Sequence, residues 1–193
     1  MIPALVMLVL AAGWRIVAVW DTSLANFTPL MALTFCGGVY LRDRRLWLVP
    51  FAALMLSDLY VDHFYATKYN YTWDLNGAAL RLVCFAVALG LGWLVSRRKN
   101  WLNLFSGALG GAVFFYLVTN TGAWLGDATY AKTLAGWWQA LTVGHPEFPP
   151  TLFFFRNSLV SDLAFTGIFA LAMEYLALRK SESSLLKPSA VRA

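Results

Sequence analysis

Long apolar runs separated by short polar connections set the pattern of this chain. The runs fall at residues 2–20, 27–41, 46–61, 77–95, 101–124 and 151–178, and roughly 20 residues of helix cross a bilayer core. None alternates as barrel strands do. In hydrocarbon every backbone N–H and C=O must be bonded internally, so the pattern predicts helices. The second and third runs are short and separated only by Arg42-Asp43-Arg44-Arg45, which reads as a helical hairpin with a basic turn at the membrane surface. Between residues 129 and 143, Leu134, Trp137, Trp138 and Leu141 recur at helical spacing. That spacing predicts an amphipathic helix lying on the outer surface or capping the bundle. The expected fold is an all-α integral membrane protein: one transmembrane domain of six helices over residues 1–178, then a disordered cytoplasmic tail over 179–193, where Ser181, Ser183, Ser184 and Pro188 cluster.

Composition strengthens the membrane reading. Of 193 residues, 60% are hydrophobic and 13% charged, too little polar surface to coat a water-soluble globule. The apolar opening has no basic segment before it, and Arg15 lies inside the run, so it reads as a retained span and not a cleaved signal. Arg42, Arg44, Arg45, Arg97, Arg98, Lys99, Arg179, Lys180, Lys187 and Arg192, ten of the fifteen basic residues, fall in alternate connections or the tail. The positive-inside rule then places both termini in the cytoplasm. The net charge of +5 belongs to this inner rim and to anionic lipid headgroups, and gives no reason to expect a nucleic-acid partner. The outer connections, 62–76 and 126–150, are longer and aromatic.

Cys36 and Cys84 both sit in apolar runs and read as small core residues; no metal or cofactor is expected. Gly37-Gly38 and Gly107, Gly110 and Gly111 offer small surfaces for close helix approach. Glu174, beside Arg179 and Lys180, reads as solvated or locally paired.

Charges inside spans carry most of the information, because each costs a few kcal/mol to insert. Counting about 1.5 Å per residue places Arg15, Asp58, Arg81 and Arg156 in the outer part of the membrane, joined by Asn26 and Asn120, with Asp162 about two turns deeper than Arg156. One reading pairs these arginines with Asp58, Asp62 and Asp74 to hold the bundle together. The other is an outward-facing polar pocket, in which arginines would receive a carboxylate or phosphate and aromatic faces would stack on a ring.

Asn26-Phe27-Thr28-Pro29 with Gly37-Gly38, Pro50 with Ser57-Asp58, Val118-Thr119-Asn120, Thr133-Leu134-Ala135-Gly136, and Phe154-Phe155-Arg156-Asn157 with Asp162 together resemble a family of small bacterial membrane proteins of unknown function. That family is similar in size and topology to the substrate-binding S-components of energy-coupling-factor (ECF) vitamin transporters. The resemblance implies a protein of the bacterial cytoplasmic (inner) membrane that captures a vitamin or other small polar nutrient from outside. It also implies a coupling subunit and ATPases as partners, and it adds Asn157 to the pocket of Arg15, Asn26, Asp58, Arg81, Asn120, Arg156 and Asp162. The chain departs from its relatives in two places. The connection through residues 144–150 is long, and Ala4, Ala11, Ala12 and Gly13 give only a partial version of the small-residue face that S-components present to the coupling subunit.

Three functions compete. A substrate-binding or transport subunit requires the charges to face one cavity. A membrane enzyme is not expected: there is no His-Glu-x-x-His, no Gly-x-Ser-x-Gly and no paired histidines, leaving only an Asp58/Asp162 acid pair. A structural or assembly subunit requires the charges to pair among themselves. No phosphate-binding Gly-x-x-x-x-Gly-Lys loop is present, so any ATP-driven motor belongs to another chain.

Overall fold

The computed structural model describes residues 2–41, 43–69 and 75–186, and all regular structure among them is helical. Seven α-helices follow in order: α1 (Ile2–Ala18), α2 (Leu30–Tyr40), α3 (Leu48–Tyr69), α4 (Leu75–Ser96), α5 (Trp101–Gly126), α6 (Leu134–Leu141) and α7 (Thr151–Arg179). Helices α4, α5 and α7 are long and apolar enough to cross a membrane. The others differ in kind: α1 has 17 residues, α2 has 11, and α3 carries Asp58, Asp62 and Lys68 along its 22.

Helix α2 is the centre of the molecule. All eleven of its residues are buried, and at about 1.5 Å per residue it is only about 16 Å long. It packs chiefly against α4, then α7, and much less against α3, so the expected α2–α3 hairpin is a covalent neighbourhood more than a packing unit. The cause is steric. A Cβ on Gly92 of α4 would collide with the Phe35 carbonyl of α2, and one on Gly38 with the Leu89 carbonyl. These two glycines let the backbones of α2 and α4 touch, an approach no other residue allows.

Helix α3 continues eight residues past the expected boundary. The first half of the connection expected at 62–76 is therefore helical, with the Thr67 hydroxyl returning to the His63 and Phe64 carbonyls at 3.0 Å; no glycine or proline interrupts it. Tyr71, Trp73 and Asp74, like Arg42 and the tail from 187, lie outside the described residues. The amphipathic helix expected at 129–143 is present as α6, shorter, and capped by the Thr133 hydroxyl accepting from the Gly136 amide at 3.2 Å.

Around a mainly apolar core, the molecule exposes large apolar side chains to an extent that a soluble globule does not. Leu56, Leu59, Leu102 and Leu171 are each at least 60% exposed on the periphery, while Thr34, Ser57, Ser161, Asp162 and Thr166 are buried. A belt of exposed leucine around a partly polar interior is what lipid, as the outer solvent, permits. At the end of the described residues, Ser184 and the Leu185 and Leu186 amides bond Glu174, and Leu186 is buried against the core.

Candidate functional site

The polar side chains read from the sequence separate into two buried groups and several outlying residues. The first group joins three helices through one carboxylate. Asp58, on α3, is ion-paired with Arg15 of α1 and accepts from Arg81 Nε of α4 at 3.3 Å, with Arg81 Nη2 at 3.2 Å. Arg15 Nη1 also donates to the Ser57 hydroxyl at 2.8 Å, and Asp62 lies 3.8 Å from Arg81. Two guanidinium groups thus face two carboxylates, and the cluster is neutral. Ser57 and Asp58 are buried on one face of α3, while the flanking Leu56 and Leu59 are exposed on the other.

The second group is deeper, where α7 meets the N-terminus of α2. Proline at position 29 gives α2 no side-chain cap. The orphaned amides of a first helical turn need an acceptor, and Asp162 supplies it, taking a hydrogen bond from the Ala32 amide. One turn further along α7 lies Thr166, fully buried. Together Asp162 and Thr166 line a cavity of ≈ 10 Å³ with Met31, Ala32, Phe35, Ala88, Gly107, Ala108 and Gly111, room for about one water. The small residues of α4 and α5 leave that space open. Ser161 anchors the same junction by donating to the Thr28 carbonyl at 3.1 Å.

The remaining candidates stand apart. Asn157 is buried and donates to the Ser23 and Ala25 carbonyls at 2.8 and 2.9 Å, fastening the α1–α2 connection to α7. Asn26, in that connection, is exposed with φ 63°, a left-handed conformation that asparagine tolerates. Asn120 donates back to the Tyr116 carbonyl of its own helix at 2.7 Å. Arg156 is exposed, with its guanidinium 4.2 Å from the Phe153 ring centroid and a 3.3 Å bond to Asn157 Oδ1. Among the described residues no carboxylate pairs with Arg156. The arginines therefore do not converge on one cavity: Arg15 and Arg81 are bound to Asp58, and Arg156 points to the surface. Asp58 and Asp162 form no acid pair, since each is engaged by different helices.

Residues 1–185 match the sequence model of a family of unknown function, DUF6580. The chain belongs to that family. No curated protein and no solved structure matches it.

The matched residues include both polar groups and the connection that carries α6. There, the Tyr116 hydroxyl donates to the Leu141 carbonyl and the Trp137 indole to Thr121 Oγ1 at 3.0 Å, tying α6 onto α5. Asp127, just after α5, accepts from the Thr129 amide at 2.8 Å and lies 4.0 Å from His145. Partial burial raises its pKa, but the Thr129 bonds, His145 and Lys132 outweigh that and hold it below the usual carboxylate range. Sequence reasoning found Asp162 but placed it in the outer pocket, and it missed Ser57, Ser161 and Thr166 as working partners. A lone hydroxyl in an apolar run carries no signal until the facing helix is known.

Proposed function

We propose that this family member is a multi-pass substrate-binding or transport subunit of a bacterial cytoplasmic membrane, built like an S-component, with six spans and both termini inside. The observation that carries the reading is the short central helix α2, whose N-terminus ends inside the bundle and is met there by the buried Asp162. Transporters place solute and ion sites where discontinuous helices end within the membrane, and an intramembrane carboxylate without a basic partner is a functional group by default. The orientation has support at the basic end, where Arg97 stacks on Trp93, Arg44 on Trp47 and Arg179 on Tyr175, an aromatic and cationic rim suited to anionic headgroups. At the other end, α6 covers α5 and exposes Leu134 and Trp138. Arg156 offers an unpaired guanidinium for an anionic or electron-rich solute.

A structural or assembly role has one specific observation in its favour: Arg15, Arg81, Asp58 and Asp62 satisfy one another. Native mass spectrometry of the protein from its host membrane, wild type beside Arg156→Ala, separates the two. A small molecule carried by the wild type and lost from the variant, with helicity unchanged, supports capture; a ligand-free wild type indistinguishable from Arg156→Ala supports assembly.

A further inference from the structure

Helix α6 and the residues leading into it are bonded to α5 in reverse order. The Trp124 indole donates to the Ala131 carbonyl at 2.9 Å, the Trp137 indole to Thr121 Oγ1 at 3.0 Å, and the Tyr116 hydroxyl to the Leu141 carbonyl. As the chain advances from Ala131 to Leu141, its partners step back along α5 from Trp124 to Tyr116, about 12 Å at 1.5 Å per residue. The eight residues of α6 span about the same 12 Å, so α6 runs back along the side of α5. Helix α5 begins at Trp101, next to Arg97-Arg98-Lys99. Measured from that basic end, Tyr116 stands about 23 Å away and Trp124 about 35 Å, which puts them on either side of the far boundary of a hydrocarbon core about 30 Å thick.

Two further features suit that course. Leu134 is 83% and Trp138 64% exposed, one turn apart on the side away from the buried Gly136 and Ala140, and α6 contains no charged residue. Lys132, just before it, folds its ammonium onto the Trp124 and Asp127 carbonyls. The second feature is the backbone. A helix end in hydrocarbon has no water to satisfy it, and α6 has protein partners at both ends. The Gly136 amide donates to Thr133 Oγ1. The Trp138 carbonyl accepts from the Thr142 hydroxyl at 2.7 Å, Gln139 from the Gly144 amide at 2.7 Å, Leu141 from Tyr116, and Thr142 from the Leu152 amide at 3.2 Å.

We infer that α6 is a re-entrant segment embedded in the leaflet at that end of α5, with lipid acyl chains as the partner of Leu134 and Trp138. The chain enters and leaves the leaflet at one mouth, where His145 Nε2 returns to within 3.3 Å of Thr129 Oγ1 and 4.0 Å of Asp127. An indole near this boundary has its ring in the apolar layer and its N–H toward the headgroups. Helix α6 is then a membrane anchor and not a lid in water. Lipid contact here stands apart from solute capture, since it needs only that α5 span the membrane.

The test uses the full-length protein in lipid nanodiscs, spin-labelled at one introduced thiol. Cys36 and Cys84 are both buried, and wild type carried through the labelling gives the background. Leu134→Cys and Trp138→Cys are read by collision with oxygen, which partitions into lipid, and with a water-soluble nickel chelate. Val160→Cys, exposed on α7, and Glu147→Cys, exposed in the connection after α6, set the lipid and water ends of the scale. Both α6 labels are expected to collide more with oxygen than with nickel, and the label at 138 to register deeper than that at 134, by up to about 6 Å. Collisions dominated by nickel at both positions overturn the inference and leave α6 a water-facing lid. Equal depths overturn the reversed course along α5. Protection from both reagents overturns lipid as the partner and assigns the face to a second copy or another chain. If labelling disturbs the fold, Leu134→Asp decides alone: it lowers the unfolding temperature in nanodiscs when the side chain meets lipid, and an unchanged unfolding temperature overturns the inference.

Discussion

Gly38 and Gly92 meet back to back where α2 crosses α4: a Cβ built on Gly92 would lie 3.2 Å from the Gly38 Cα, with the Phe35 carbonyl closer still. The obstructing atoms are backbone and cannot rotate away, so a methyl group must push two helices apart. Overpacking of this kind costs about 1–3 kcal/mol. Gly92→Ala is therefore expected to lower the unfolding temperature in detergent clearly. Gly110→Ala is the control: nothing lies within 4 Å of its Cβ position, and the gain in helix propensity leaves stability unchanged or slightly raised. Equal losses in the two variants would mean that α2 and α4 do not touch as described.

The Asp58 cluster makes a different prediction, because removing the shared carboxylate strands Arg15 and leaves Arg81 only the more distant Asp62. Arg15 and Arg81 have side chains only 17% and 22% exposed, so Asp58→Asn leaves charge in a partly desolvated place. Breaking a buried pair costs about 3–5 kcal/mol. Arg156→Ala removes an exposed guanidinium and is expected to stay within about 0.5 kcal/mol of the wild type. Chemical or thermal unfolding of both variants reads the contrast, and a stable Asp58→Asn would show that the cluster does not hold α1, α3 and α4 together.

These two features differ in how far the sequence displayed them. Arg15, Asp58 and Arg81 were visible as charges at one depth because helical rise converts residue number into depth. Depth alone does not fix azimuth, and the three helices happen to turn their charges toward one another. The same reasoning put Asn26, Asn120 and Arg156 at that level, yet Asn26 lies in an exposed turn, Asn120 bonds its own helix and Arg156 turns outward. Glycine pairs at 37–38 and 107–111 announced close packing, but the partner Gly92 stood unremarked inside an ordinary apolar run. The central position of α2 was also hidden. Its eleven residues look like a short span, and only the missing side-chain cap at Pro29 hints that another helix must serve its first turn.

Glu174 holds the end of the described chain. Its two oxygens accept from the Ser184 hydroxyl at 2.8 Å and the Leu185 and Leu186 amides at 3.2 and 2.7 Å, which returns Leu186 to the core. Hydrogen bonds to a charged acceptor are the stronger kind. Glu174→Gln is expected to speed amide exchange at Leu185 and Leu186 by about tenfold while leaving the rest of α7 protected. Unchanged exchange at both amides would assign the return of this segment to Leu186 packing alone.

Asp127 gives the connection between α5 and α6 a dependence on pH with a definite sign. Its carboxylate is held below the usual range, and a group with a depressed folded pKa contributes stability that is complete above its unfolded value and is lost as pH falls through the folded one. The bond to the Thr129 amide should therefore persist at neutral pH and open only under acid conditions below the ordinary carboxylate range. Because the Asp127 side chain is 38% exposed, solvent screens its contacts, and the effect is local ordering and not global stability. Hydrogen exchange at Thr129, corrected for intrinsic rates, is expected to show loss of protection on acidification in the wild type. In Asp127→Asn the neutral amide cannot titrate, so protection should be weaker at neutral pH and indifferent to acid. If the two proteins follow the same pH profile, some other group controls this connection, and the Asp127–Thr129 contact does not order it.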